Sequence, residues 1–353
     1  MQFCGVCCLR IKLLKGFNIK FQKQKVMRTV AFSLLPAAVG GIYFFGWVSL
    51  AIVVLSVITC VITEWIFVKG KNGKVTEAVF VTAVLYALTL PPTLPFYMVI
   101  IGAIFGVTFG KMAFGGFGNN VFNPALVGRA FVYITFPIHM TNIWLPAANF
   151  SDFPGGFAAW KFSATNNDYL SAITSATPMT AFRDGATALP GYLQLFLGNI
   201  NGQYEKLGEI TFIGGGSIGE TSVLLLLLGG LFIVIKKIAN WKIVVSFFAS
   251  FFIFQTILHL FIADKAAEPF FGLLSGGLVL GGFFMVTDPV SAARTSIGRW
   301  IYGMIIGILT VIIRSFSLFA GGLMFAILLA NMFAPIIDYG VKSYQTFKTN
   351  RMK

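Results

Sequence analysis

The chain reads as an all-α polytopic membrane protein of about ten transmembrane helices, with interrupted helices and two halves of five spans. Three observations predict this class. Hydrophobic residues make up 57% of the 353 positions and charged residues 11%, against roughly 25% charged in soluble domains. Apolar stretches recur at close to the ~20 residues that cross a bilayer. These stretches, 222–235 and 243–263 among them, do not alternate as the ~10-residue strands of a membrane barrel would.

The predicted spans are 29–46, 48–68, 75–91, 95–111, 121–137, 222–236, 243–263, 269–287, 300–314 and 320–338. Their orientation follows from loop charge. Residues 1–28 carry Arg10, Lys12, Lys15, Lys20, Lys23, Lys25 and Arg28 and no acid. Placing this segment in the cytoplasm also places 69–74, 111–120, 236–242, 288–299 and the tail from 340 there, and these are the Lys- and Arg-bearing connections. The connections near Gly46 and at 90–95, 138–221, 264–269 and 315–320 then lie outside. The long loop holds Lys161, Arg183 and Lys206 against Asp152, Asp168, Asp184, Glu205, Glu209 and Glu220. The organisation is therefore a basic cytoplasmic segment 1–28 and a membrane domain 29–353, with both termini inside and loop 138–221 extracytoplasmic. Five spans before that loop and five after it give the halves opposite orientations, the arrangement of inverted repeats, although no internal sequence match accompanies it.

The net charge of +14 is explained by these loops and by contact with anionic membrane lipid. Nucleic acid is not an expected partner. Cys4, Cys7 and Cys8 cluster at the start and Cys60 lies inside a span, which is no four-ligand set for zinc or iron–sulfur. His139 and His259 stand apart, so no metal site is expected.

Three stretches break the helical pattern. LPPTLP at 90–95 cannot be continuous helix, because proline lacks a donor and clashes with the preceding turn. FGGFGNNVFNPA at 114–125 and TDPVSA at 287–292 would leave backbone groups unsatisfied in hydrocarbon. They must pack in protein or line a cavity, and both fall at cytoplasmic ends of spans, where together they predict one polar pocket. Glu64 in the second span and Arg129 in the fifth carry charge where hydrocarbon penalises it by roughly 2.5–3.5 kcal/mol on insertion scales, so each is a functional candidate. Glu77 opens the third span. The bland reading of Glu64 is a pairing with a nearby lysine at the cytoplasmic edge.

With LTLPPTLP (88–95), FGGFGNNVFNPALVGRAF (114–131), GSIGETS (216–222), TDPVSA (287–292), YGMIIGILTVIIR (302–314) and MFAILLANMFAPIIDY (324–339), the chain resembles one known family, NqrB/RnfD. That family contains the B component of the sodium-translocating NADH:quinone reductase (Nqr) and the D component of the Rnf ferredoxin:NAD reductase complex. The likeness covers roughly residues 28–340. It implies an inner-membrane component that carries electrons within an Rnf- or Nqr-type complex coupled to Na⁺ or H⁺ movement. NAD(H) and iron–sulfur chemistry would then belong to the partner proteins. It implies FMN joined through a phosphoester to Thr177, in the run TSATP, by a separate flavin transferase. Ser175 stands where many members have glycine, and Ser171 where many have an acid. Arg183 then has two readings, a partner for the phosphate or a plain surface arginine.

The resemblance also implies a non-covalent riboflavin at the Gly/Asn motif in quinone-reductase members, at Asn120 and Asn123, with Asp288 as a further candidate. An amide suits a flavin's pyrimidine edge, and equally suits helix capping; Asp288 has the same capping alternative. In those members an acid matching Glu64 lies by the quinone site, but the glycines before it are Cys60 and Val61 here. The TSATP run and LFLGN (195–199) look more like the Rnf member, whereas EAVFVT (77–82) and GRAF (128–131) look more like the Nqr member. The balance leans to Rnf. The alternative from another class is a redox-free permease or channel built from broken helices.

Overall fold

The computed structural model describes residues 20–70, 73–162, 174–186, 189–200, 203–206, 209–317, 319 and 321–351. Cys4, Cys7, Cys8, Arg10, Lys12, Lys15, Asp168 and Ser171 lie outside the described residues.

The chain enters through a two-residue strand β1 (Phe21–Gln22), paired in parallel with β2 (Val75–Thr76). The first span is α1 (Lys25–Ser33) continued by α2 (Leu35–Phe45), and α3 (Trp47–Lys69) is the second. Span three is the short α4 (Ala78–Leu88), after which the prolines of 90–95 unwind the backbone as expected. Helix α5 (Phe96–Val107) runs into a π-helical turn (Thr108–Met112), and α6 (Pro124–Thr135) completes the first half. In the long loop, β3 (Thr174–Ala176) leads into α7 (Pro178–Arg183). Strands β4 (Gln203–Lys206) and β5 (Glu209–Gly214) complete a sheet of order β3-β5-β4, with β3 parallel and β4 antiparallel to β5. The second half is α8 (Val223–Ile235), α9 (Trp241–Phe261), α10 (Pro269–Leu274), α11 (Leu278–Leu280) with its π-helical continuation (Gly281–Met285), α12 (Ser296–Phe316) and α13 (Leu323–Arg351).

Among the described residues, 25–45, 47–69, 241–261, 296–316 and 323–351 are long and apolar enough to cross a membrane. Ala78–Leu88, Phe96–Met112, Pro124–Thr135 and Val223–Ile235 are shorter apolar helices. With the broken segment 269–285 they match the predicted order of ten. Three details differ. Span eight is not one helix: Ser275 and Gly277 flank Gly276 at φ +66°, a conformation that excludes most side chains. The fourth span reaches its predicted end near 111 as a π turn and not as α-helix, which settles Lys111, read at the junction of span and loop, within the bundle. The last helix continues to Arg351, well past the predicted end at 338.

The two halves pack alike. Span two lies against span four and span four against span five; correspondingly α9 lies against α12 and α12 against α13. Small residues make both contacts. A Cβ on Gly106 would stand 2.7 Å from the carbonyl oxygen of Pro124, and one on Gly307 would stand 2.8 Å from that of Phe247 and 2.0 Å from Ser250 Oγ. Without a hydrophobic drive between helices in lipid, such close backbone approach supplies the packing energy.

Hydrogen bonds sort the connections into two ends. Arg28 pairs with Glu77, Lys242 Nζ donates to Ser296 Oγ at 2.5 Å, and Asp338 accepts from the backbone of Arg294 and Thr295. This is the basic end. At the other end residues 144–162 fold over the first two spans: Ala148 N donates to Phe44 O, Val48 N to Trp160 O and Trp47 Nε1 to Phe157 O. Thr93 Oγ1 reaches Ile143 O, and Tyr192 OH pairs with Glu268.

Candidate functional sites at the two ends of the bundle

At the basic end, the Gly/Asn motif and the TDPVSA motif converge on one cleft. Lys111, Phe117, Asn120, Asn123, Phe284 and Asp288 contribute to its lining. Pro124 starts α6 with its φ already helical, and Asn123 caps it: Asn123 Oδ1 accepts from Ala125 N at 3.0 Å. Asn120 Nδ2 donates to Phe122 O at 3.1 Å. Each amide is thus half used. Among the described residues, Asn123 keeps a free Nδ2 donor and Asn120 a free Oδ1 acceptor, both on buried side chains that line the cleft. Asp288 Oδ1 accepts from Val290 N at 3.2 Å and Oδ2 from Ser291 Oγ at 2.9 Å. Desolvation in the packed loop raises the Asp288 carboxyl above its ordinary pKa, opposed by those two hydrogen bonds.

Glu64 does not line this cleft. Its Oε1 accepts from Thr76 N at 2.9 Å and Thr76 Oγ1 at 2.8 Å, and its Oε2 from Lys111 Nζ at 2.6 Å. Glu64 is 1% exposed and Lys111 2%. The carboxylate has the lysine partner that the bland reading assigned it. That lysine comes from the π turn and also stands 5.8 Å from the ring centroid of Phe117.

At the opposite end a larger cavity gathers Thr177, Arg183, Arg129, Tyr133, Glu220 and Gly277. The sheet positions Thr177: Ala176 pairs with Gly214 on β5, and the chain after β5 is bonded to the unwound third span through Ile218 N to Leu90 O and Gly219 N to Leu88 O. Thr177 is extended at φ −72°, ψ 154° and caps α7, its Oγ1 accepting from Thr180 N at 3.2 Å and lying 2.8 Å from Thr180 Oγ1. Arg129, predicted as a charge inside a span, pairs through Nη1 with Glu220 Oε1 at 2.9 Å, and its buried Nε has no partner among the described residues. Arg183 lines the same cavity and has no ion pair among the described residues.

Sequence reasoning misses two charged residues. Glu220 reads there only as a loop acid. Arg314 is 1% exposed and holds the break in span eight, donating from Nη1 to Gly272 O at 2.7 Å and from Nη2 to Ser275 O at 3.4 Å. Its place in an apolar run near a span end is the available signal.

Known proteins share this chain's sequence along nearly its whole length. Residues 18–346 match the model of the NQR2, RnfD, RnfE family. The chain is 35% identical over 344 residues to the D component of an ion-translocating oxidoreductase complex from Aliivibrio salmonicida, covering 92% of this chain and 94% of that one. It is 36% identical to the D component of a proton-translocating ferredoxin:NAD(+) oxidoreductase complex from Clostridium ljungdahlii, covering 89% of each. It is 38% identical to the B component of a Na(+)-translocating NADH-quinone reductase from Pseudoalteromonas atlantica, over 79% of this chain and 62% of that one. A polytopic bundle whose characteristic motifs meet at two opposed cavities, matched from residue 18 to residue 346, belongs to the NQR2, RnfD, RnfE family.

Proposed function

We propose that this protein is an electron-carrying flavoprotein component of an ion-translocating oxidoreductase complex in the inner membrane, with FMN esterified to Thr177 and riboflavin in the basic-end cleft. The observation that carries the reading is the separation of the two cavities by one layer of side chains. Phe284 lines the basic-end cleft and Met285, the next residue, lines the opposite cavity. Pro124 and Leu126 of α6 divide in the same way. Neighbouring residues on two elements thus face different cavities, which places the two sites close together.

The residues present suit these groups. A phosphoester at Thr177 Oγ1 would share its cavity with Arg183 and Arg129, whose guanidinium groups can offset phosphate charge. In the cleft, the free donor of Asn123 and free acceptor of Asn120 match a pyrimidine edge that both donates and accepts. Bound flavin supplies the redox chemistry, while the protein supplies position and electrostatics. Glu64, with both oxygens engaged, holds Lys111 at the cleft wall.

The basic end is cytoplasmic in this reading, with both termini there and the Thr177 cavity outside. The near full-length match to the D components favours Rnf membership over Nqr. The relatives' names include both Na⁺ and proton translocation, and the reading is compatible with either ion. Partners are the remaining proteins of the complex, a flavin transferase and membrane lipid. The competing permease reading draws on the broken third and eighth spans. Ultraviolet fluorescence of the denatured, gel-separated chain, coexpressed with a flavin transferase, separates the two. The flavoprotein glows and a Thr177→Ala control does not; a dark wild-type band supports the permease.

A further inference from the structure

A second concavity at the basic end lies between the α8–α9 turn and the 287–299 segment. Lys237, Arg294 and Arg299 lie on its lining, and none of them has an ion pair among the described residues. Lys242, beside it, reaches Ser296. Two carboxylates are close and each is hydrogen-bonded locally: Asp338 accepts from Arg294 N, Thr295 N and Thr295 Oγ1, and Asp288, itself on the lining, accepts from Val290 N and Ser291 Oγ. The first turns of α9 and α12 also end here, capped by Asn240 and Thr295, and add partial positive charge.

Loop lysines and arginines that only set topology need no groove. These rim one with an apolar wall that includes Ile238 and Ile243 and with Trp241 in its lining. Trp241 meets Trp300 edge-on at 5.9 Å, and the adjacent Ile235, Ile297 and Ile301 are exposed. A tryptophan pair flanked by exposed isoleucines marks the level of the membrane interface. Cationic side chains above apolar walls at that level fit a phosphodiester headgroup whose acyl chains run down the outer face of the bundle.

We propose that this groove is a binding site for one anionic phospholipid, held by Lys237, Arg294 and Arg299 through its phosphodiester. The groove shares Ile238, Ala239, Thr287, Asp288 and Pro289 with the basic-end cleft, whereas its cations Lys237, Arg294 and Arg299 lie outside that shared wall.

The full-length chain, reconstituted in nanodiscs of mixed phosphatidylcholine and phosphatidylglycerol and then extracted in mild detergent, is read by native mass spectrometry for retained lipid. Wild type retains phosphatidylglycerol in preference to phosphatidylcholine. Glutamine at Lys237, Arg294 and Arg299 lowers that preference by roughly fivefold per cation removed. The charge-keeping Lys237→Arg, Arg294→Lys, Arg299→Lys variant retains it, as does a control with Lys342, Lys348 and Arg351 changed to Gln. No headgroup preference in wild type overturns the proposal without any variant needing to fold. Equal loss in the tail control overturns it by reducing the effect to net charge. Displacement of the lipid by millimolar inorganic phosphate alone makes this a soluble-anion site and also overturns it.

Discussion

Phe284 and Met285 are consecutive in the chain, are 5% and 3% exposed, and line different cavities. The π turn that carries them is therefore the floor of one site and the ceiling of the other. With Pro124 and Leu126 it forms a partition between the two cavities.

That partition predicts an ion leak when it is removed. Phe284→Ala with Met285→Ala joins the cavities, and Na⁺ or proton flux into liposomes bearing the double variant should exceed the wild-type rate severalfold. A wild-type chain that conducts as readily as the variant contradicts the partition.

The Lys111–Glu64 pair is buried on both sides, so breaking it leaves a charge without a partner. Lys111→Met should destabilise the bundle by about 3–5 kcal/mol. Adding Glu64→Gln should restore part of the loss, a non-additivity that thermal unfolding in detergent reads through a double-mutant cycle.

Gly307 faces the backbone of α9 with no room for a branched side chain. Gly307→Val should cost about 1–3 kcal/mol by overpacking, and Gly321→Val, whose Cβ meets nothing within 4 Å, should cost far less. Melting temperatures of the two variants check this.

Much of the architecture was legible from the spacing of apolar runs and the sign of loop charge, because hydrocarbon thickness and topology constrain both. The meeting of Asn120, Asn123 and Asp288 was legible too, since backbone broken at membrane depth must share a protected pocket. Lys111 was legible only in part: it fell at the junction of span and loop, and the π turn that carries it in to Glu64 leaves no local signal. The break at Gly276 was hidden because LLSGGLVL is apolar enough to pass for continuous helix, and its stabiliser, Arg314, lies far along the chain. The sheet that places Thr177 depends on pairing between 174–176 and 209–214, a long-range contact no local pattern reports.

Glu77 links the entry segment to α4, accepting from Gln24 N at 2.6 Å and pairing with Arg28. The Gln24 N–H first, and the Arg28 guanidinium second, hold its carboxyl below the ordinary value of 4.5. A carboxyl depressed in the folded state stabilises fully above its unfolded pKa and loses that contribution as pH falls through the folded value. Amide exchange at residues 20–28 should therefore be flat with pH, after correction for intrinsic rates, above about 5 and rise below 4.5. Glu77→Gln should remove that acid-dependent rise.

The most direct measurement is the intact mass of the chain purified from cells that express a flavin transferase. The account predicts wild-type chain heavier than its polypeptide by one FMN less water, fragmentation placing the addition on Thr177, and Thr177→Ala at the bare mass. Wild-type protein at the bare polypeptide mass, from cells shown to flavinylate another substrate, contradicts it.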